Sequence, residues 1–597
     1  MDRNQAIGLI LISILVIVYF QFFAPDPRVN QTPELVNTVE EKAAESFQPT
    51  QETITTVDPV QDSLSKALRT QQLGALSSGI QGEAKDVILE NKDLKVTLST
   101  KGGNIKEALL KEYFTYKKDP LIIIDEQSHS LQKFINYNNT QIELGELYYT
   151  TAQKTENDTS IVVFSLKEGN KTLVEHIYSL PSVGFQLGYE LKLQGLSQAD
   201  YVNFVWDAKL KQFEDGMDQS RQNTTINYYD TDDDFGDLSA RSSDTESELV
   251  DKPVKWFAFK QRFFTSAILS KKDIQNLSIE TTVPEDEDTS YVKTANAKFD
   301  VPIDGNQLTF YFGPNNYQIM KKVAPGFKEN VYLGWPVINW FNKWLIIPIF
   351  HFLEKYISNY GIIIIILSFI IKILLSPLSY KSYKSMAKTK VLKPELDAIK
   401  EKYPDDAQKA QAEQMKLYQQ VGVNPLSGCI PLLLQMPILL AMFNFFPNSI
   451  ELRQESFLWA HDLSTYDSIL DLPFTIPFYG DHVSLFTILM TISTVLMTKM
   501  NSQMTTVQGP MKTMQYMMPV MFMVFLNNFA SGLTFYYFIA NLITYGQQVI
   551  IRRFIDDDKI RQMLDENKKK RAGKKKSKFQ QRLEDAMKTR EDQTKKK

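Results

Sequence analysis

A single cysteine, Cys429, occurs in the 597 residues, so no disulfide can form within one chain. A cystine-stapled scaffold is excluded even for a part facing an oxidising compartment, and Cys429 reads as a small apolar residue. Histidine is scarce too, with five scattered copies. There is no G-x-x-x-x-G-K-[ST] loop, no G-x-S-x-G elbow and no H-E-x-x-H pair. These absences remove the usual nucleotide, nucleophile-elbow and zinc-hydrolase chemistries; neither cofactor nor metal is expected. Charge of one sign is lacking as well: the net charge is −4. A mean hydropathy of −0.24 looks soluble, but it averages unlike regions.

Long apolar runs are present. Residues 1–24 carry AIGLILISILVIVYFQFF (6–23), long enough to cross a bilayer. No clear A-x-A site follows, so an uncleaved anchor is expected rather than a signal peptide. Further spans are expected at 361–378, 429–446, 483–498, 514–527 and 533–551. Nine lysines lie in 379–424, against Arg453 alone as an unambiguous positive charge in 448–482. The positive-inside rule then puts both termini, the 379–424 segment and the 499–513 loop in the cytoplasm. Residues 24–360 and the 447–482 loop lie on the other side. The expected class is a polytopic α-helical membrane protein with six transmembrane helices and a large extracytoplasmic, mostly-β sandwich domain.

Between anchor and second span, 25–84 is rich in Gln, Thr, Glu, Ser and Pro and reads as a flexible linker. From 85 to 327 the apolar period becomes two. GFQLGYELKLQ places Phe185, Leu187, Tyr189, Leu191 and Leu193 on one face, and NQLTFYFG does so with Leu308, Phe310 and Phe312. In that domain DTDDDFGD sets Asp230, Asp232 and Asp234 at calcium-loop spacing. Phe235 replaces the required glycine and Arg241 the twelfth-position Glu, so a solvated acidic loop is expected. Residues 335–358 mix three tryptophans with Asn339, Asn342, Lys343, His351 and Glu354, which fits an amphipathic helix in the membrane–water interface. In 379–424, seams of Leu392, Leu396 and Ile399, and of Met415, Leu417, Tyr418 and Val421, predict a helical hairpin broken at KYPDD.

The second span contains a lysine, Lys372, about nine residues before the next basic residue, Lys381, which is roughly 13 Å of helix. A mid-membrane lysine costs about 2.5–3.5 kcal/mol on an insertion scale, unless its ammonium snorkels to the interface. Ser368, Lys372 and Ser376 share one helical stripe. Ser368 and Ser376 are each one turn from a base, but nothing marks an oxyanion hole, and no enzyme is expected. The last span repeats the polar pattern with Thr534, Tyr537, Asn541, Thr544 and Gln548, and the third adds Gln435. Single polar residues there act as interhelical glue; two aligned stripes and a lysine point to a water-accessible cavity open to the cytoplasm. Methionines crowd the fourth and fifth spans, an adaptable apolar surface.

GVNPLSGCIPLLLQMPILLAMF (422–443), SMAKTKVLKPELDAIKEKY (385–403), ELRQESFLWAHDLS (451–464), MMPVMFMVF and SGLTFYYFIANLITYGQQ (531–548) closely resemble the YidC membrane protein insertases. The anchor and β domain resemble the Gram-negative form, hence an inner-membrane location. The resemblance implies a hydrophilic groove, open to cytoplasm and lipid, that admits nascent integral membrane proteins, alone or with the Sec translocon (SecYEG, SecDF). Its groove residues would be Lys372, Ser368, Ser376, Gln435, Thr534, Tyr537, Asn541 and Thr544. The family's groove carries an arginine where this chain has Lys372, so the charge is kept without the bidentate fork. The 552–597 tail includes Lys568, Lys569, Lys570, Arg571, Lys574, Lys575 and Lys576, a candidate ribosome contact through RNA phosphate. Two other classes remain: an ion-coupled transporter, which would show inverted repeats, and a non-inserting assembly scaffold.

Overall fold

The computed structural model describes residues 69–571 except 139, 197–199, 286–288, 305–306, 405, 424–429 and 503–509. The expected anchor, the linker up to residue 68, Cys429 and Lys574–Lys576 lie outside the described residues. The chain divides into two units, 1–331 and 332–597.

The first unit is mostly β. Strands Asp86–Glu90, Leu94–Ser99, Ile105–Phe114 and Pro120–Asp125 form a four-stranded antiparallel sheet. A second, 14-stranded sheet is built around the 19-residue strand Phe264–Thr282. One half of that strand pairs with Gln307–Pro314, the other with Lys293–Pro302. The register shifts between Gln275 and Ser278, and Asn276 has φ 52°. A bulge of this kind bends a strand and raises its twist, so one strand serves two half-sheets. The two half-sheets are thus hydrogen-bonded into one sheet through the shared strand, and Val254–Lys260 pairs with its first half. Trp206 of Tyr201–Leu210 meets Phe259 and Phe257 of Val254–Lys260, with ring centroids 4.2 and 5.9 Å apart, so the half-sheets pack face to face as the expected sandwich does. The period of two is realised: Phe185, Leu187, Tyr189 and Leu191 are buried, as are Leu308, Phe310 and Phe312; Leu193, at the strand end, is half-buried.

Two local expectations change. The unit starts before residue 85, because Leu73 and Leu76 are buried and Tyr148 N–H donates to Gly79 O at 2.8 Å. Two leucines in a polar stretch suffice to tie it to the sheet. In the acidic loop, Lys252 Nζ stands 3.4, 2.8 and 3.9 Å from Asp230, Asp232 and Asp234. An ammonium occupies the centre of the carboxylate arrangement.

The second unit is helical. The helices are α1 Pro336–Phe341, α2 Ile347–Glu354, α3 Tyr360–Val391, α4 Lys393–Lys402, α5 Ala407–Val421, α6 Ile430–Asn448, α7 Leu485–Ser502, α8 Pro510–Leu526, α9 Ser531–Phe554 and α10 Asp557–Arg571. Among the described residues α3 alone is both long and apolar enough to cross a membrane by length and composition; Thr513–Leu526 is a shorter apolar stretch. The other spans expected in the described part of the chain fall on α6, α7, α8 and α9. The helix expected over 335–358 is interrupted by a π-turn at Asn342–Ile346. Pro348 in the first turn of α2 supplies no N–H, and buried Asn342 donates to Leu333 O (2.9 Å) and Ala441 O (3.1 Å).

α3 runs well past 378, because its Lys-rich end keeps helical pairing in water. Asn359 caps its start, accepting from Ile362 N–H at 3.1 Å. The 379–424 hairpin buries Leu392, Leu396, Leu417, Tyr418 and Val421, while Met415 is exposed. A third helix completes this core: Ile560 and Leu564 of α10 are buried in it. Where the sequence reading expects a basic tail from 552, the chain thus continues α9 to Phe554 and then forms α10.

Candidate functional site

On α3 the buried positions Ile364, Leu367, Ser368, Ile371 and Lys372 repeat at three and four residues, while Phe369, Ile373 and Leu374 are exposed. Composition does not mark this face, because both sides are apolar; burial does. Lys372 is 5% exposed and lies on the packed face. This is not the position of a lysine snorkelling along a lipid-facing surface. Among the described residues no carboxylate or hydrogen-bond acceptor meets its ammonium.

α9 packs along α3, and the Gln547 amide donates to Lys372 O at 3.0 Å. The expected stripe on α9 divides between functions. The Asn541 amide donates to Ser493 Oγ (3.0 Å) and Thr494 Oγ1 (2.9 Å) of α7. The Gln548 amide donates to the Tyr383 hydroxyl (2.6 Å) and Asn501 Oδ1 (3.2 Å). These bonds tie α9 to α7 and α3. Ser368, Thr534 and Thr544 donate to the carbonyls of Ile364, Ser531 and Ala540 within their own helices, at 2.7, 3.1 and 2.7 Å. Ser368 and Thr534 are fully buried, so their hydroxyls are satisfied inside the packing. Ser376 and Gln435 are half-buried. The Tyr537 hydroxyl is buried with no hydrogen-bond partner among the described residues, and its ring meets Phe443 of α6 at 5.9 Å.

The partners of Asn541 and Gln548 were missed, although a sequence signal exists. Thr487, Thr491, Thr494, Thr498 and Asn501 are spaced by 4, 3, 4 and 3, a polar stripe along α7. The 447–482 loop holds a second missed feature. Asp467, 2% exposed, accepts from Trp459 Nε1 (2.8 Å), Ser484 Oγ (2.5 Å) and Phe486 N–H (3.0 Å). Asn527 donates to Tyr479 O (2.9 Å) and His482 O (2.8 Å), and its side-chain oxygen accepts from Ser484 N–H (3.0 Å). At this end of the bundle, α7, α8 and the 447–482 loop are knotted by satisfied polar groups.

Of the candidate ribosome contacts, Lys568, Lys569 and Lys570 stand exposed on α10. Lys568 pairs with Glu395 at 3.1 Å and Lys570 with Glu566 at 3.2 Å. Arg571 ends the helix.

Residues 86–348 match the family described as YidC periplasmic domain, and residues 352–559 the family described as 60Kd inner membrane protein. A protein of Amoebophilus asiaticus named membrane protein insertase YidC is 45% identical, covering 98% of both chains. Its namesake from Cytophaga hutchinsonii is 43% identical over 99% of this chain and 98% of its own. A solved structure described as an active YidC insertase with its first transmembrane domain resolved is 18% identical, with TM-score 0.33, covering 82% of this chain and 98% of that one. With two family models matched over most of the chain and relatives aligned nearly from end to end, this chain belongs to the family of YidC membrane protein insertases.

Proposed function

We propose that the protein inserts integral membrane proteins into the bacterial inner membrane and helps them fold, using Lys372 as a fixed positive charge in a wet, cytoplasm-open cavity. The anchor, α3, α6, α7, α8 and α9 are the six crossings, with both termini cytoplasmic. The carrying observation is Lys372 itself: a buried ammonium with no described partner. An uncompensated buried charge costs several kcal/mol, a cost relieved by water in a cavity and by the carboxylates of an incoming hydrophilic segment. The knot around Asp467 and Asn527 favours a path closed at the outer end. A client's hydrophobic segment, roughly 20 apolar residues, then leaves along α6 and α8 for lipid, driven by its own partition out of water. No covalent step is needed. Nascent chains are the substrate; the Sec translocon, the ribosome and surrounding lipid are the partners of this reading.

Cysteine reactivity tests it. In a Cys429→Ala background, cysteines at Ser376 and Gln435 should react with small hydrophilic maleimides added from the cytoplasmic side. Cysteines at Ser368 and Thr534, whose side chains are packed, should react more slowly, and one at lipid-facing Ile373 most slowly. Equally low rates at Ser376, Gln435 and Ile373 would mean dry packing and no cavity.

A further inference from the structure

The 447–482 loop carries a two-stranded antiparallel hairpin, Leu470–Ile476 with Gly480–Val483. Its second strand is held firmly. His482 is buried, stacks on Tyr466 at 3.7 Å and bonds Asn527 O through Nε2 at 2.9 Å. A Cβ added at Gly480 would meet Asn528 Oδ1 at 2.5 Å, which makes this a close approach of the Gly480 backbone to the Asn528 side chain. The first strand and the turn are exposed among the described residues, Leu472 and Tyr479 apart, which are half-buried. Leu470, Phe474 and Phe478 are 57, 61 and 86% exposed, and no charged residue lies between Asp471 and Asp481. Phe478 has φ 68°, a left-handed backbone that is unfavourable for a bulky residue. A lone two-stranded hairpin is marginal in water.

We propose that this hairpin lies in the outer lipid–water interface, with Phe474 and Phe478 below the headgroups. Helix length decides for lipid as the occupant. The second strand is tied to Asn527 through His482 and lies against Asn528 at Gly480, immediately after α8. The 17 residues of α8 span about 25 Å at 1.5 Å each, short of a hydrocarbon core of about 30 Å. A helix that short leaves its outer end at or below the headgroups, and the hairpin with it. The exposed apolar face of α8, with Met517, Val520, Met521 and Phe522, leads to the same end. The hairpin's unpaired edges exclude the hydrocarbon centre but are satisfied at the interface. The inference rests on the membrane placement proposed above.

Spin labels on the full-length protein in proteoliposomes test it. Single cysteines at Phe478, at lipid-facing Ile373 and at exposed Asn157 of the β unit, each in a Cys429→Ala background, are compared for collision with oxygen and with a water-soluble nickel chelate. The Phe478 label should favour oxygen over the chelate, placing it between the two controls. Collision with the chelate equal to that at Asn157 overturns the proposal, as does shielding from both reagents, which means a protein partner. If Ile373 itself behaves like Asn157, the membrane placement fails instead.

Discussion

Both units bury lysine, and the most buried of the β unit's three, Lys133, differs in its surroundings from Lys372. In the β unit Lys133 is fully buried. Its ammonium donates to Gly102 O and Gly103 O at 3.3 and 3.4 Å and lies 5.5 Å from the centroid of the Tyr189 ring. In the helical unit Lys372 has no such carbonyls, ring or carboxylate among the described residues. A fold tolerates a buried cation when lone pairs and a π-face replace part of its hydration. Lys133 is thus accounted for by packing. Lys372 is not, and on the function proposed above its surplus charge is what a passing substrate would meet.

The sharpest way to break the comparison is to reverse the unpartnered charge. Lys372→Glu should reduce insertion of clients with acidic translocated tails by about tenfold or more, a change of at least about 1.4 kcal/mol in the barrier. Lys372→Arg, which keeps charge and depth, should retain insertion. In vivo complementation and protease protection of the client tail read both. Wild-type insertion by Lys372→Glu would remove charge attraction from the mechanism.

Asp467 sharpens the same contrast from within the helical unit, being a buried carboxylate with all three of its described donors aligned. Asp467→Ala strands those donors at the outer end and should destabilise the bundle by about 3 kcal/mol or more. Thermal unfolding in detergent should show the loss. Asp467→Asn, which keeps an acceptor, should lose less.

Lys133 offers a pH signature. Burial pushes its ammonium down to about 7 from the usual 10.5. Below about pH 7 both folded and unfolded chains hold the proton, and the burial penalty is fully present. Between about 7 and 10.5 the unfolded chain holds more protons, so stability rises with pH until the penalty is gone. Lys260 and Lys293, each lowered to about 8 mainly by burial, contribute over the upper part of that window. Lys133→Met should therefore stabilise the unit near pH 6, by at most a few kcal/mol, and flatten the rise. Hydrogen exchange in strand His129–Tyr137 of the full chain measures it. An unchanged pH slope would mean that Lys133 keeps its proton when folded.

How far the sequence reached depends on what each pattern reports. The alternation in GFQLGYELKLQ was legible because a half-buried strand writes its burial as polarity. The sharing of strand Phe264–Thr282 between two half-sheets was not, since one bulge decides it and no composition marks it. In the helical unit Lys372 was conspicuous as the one charge in an apolar run, but the packed side of α3 was invisible in a sequence apolar all round. Asn541 showed its polarity without its partner, because lining a cavity and bonding Ser493 and Thr494 call for the same residue. The lysines after 552 hid Ile560 and Leu564, whose spacing of four is the helical signal of α10.

α10 decides where the chain must be cut in the last and smallest test. A truncation after Arg553 would remove Ile560 and Leu564 from the hairpin core, so its effect on ribosome binding would be confounded by loss of packing. Truncation after Arg571 keeps α10 with Lys568, Lys569 and Lys570 and removes Lys574, Lys575 and Lys576. Paired as they are with Glu395 and Glu566, Lys568 and Lys570 have part of their charge already answered within the protein. Exposed pairs of this kind are weak, about 0–1 kcal/mol, and yield readily to phosphate. Binding through counterion release should then fall steeply between about 50 and 200 mM salt in the full chain. The truncated chain should co-sediment with ribosomes less well at low salt and show a shallower salt slope, with thermal unfolding of the membrane unit unchanged. Replacing Lys568, Lys569 and Lys570 by Gln in the truncated chain should flatten the slope further. An identical slope in full-length and truncated chains would assign the residues after Arg571 no part in ribosome contact.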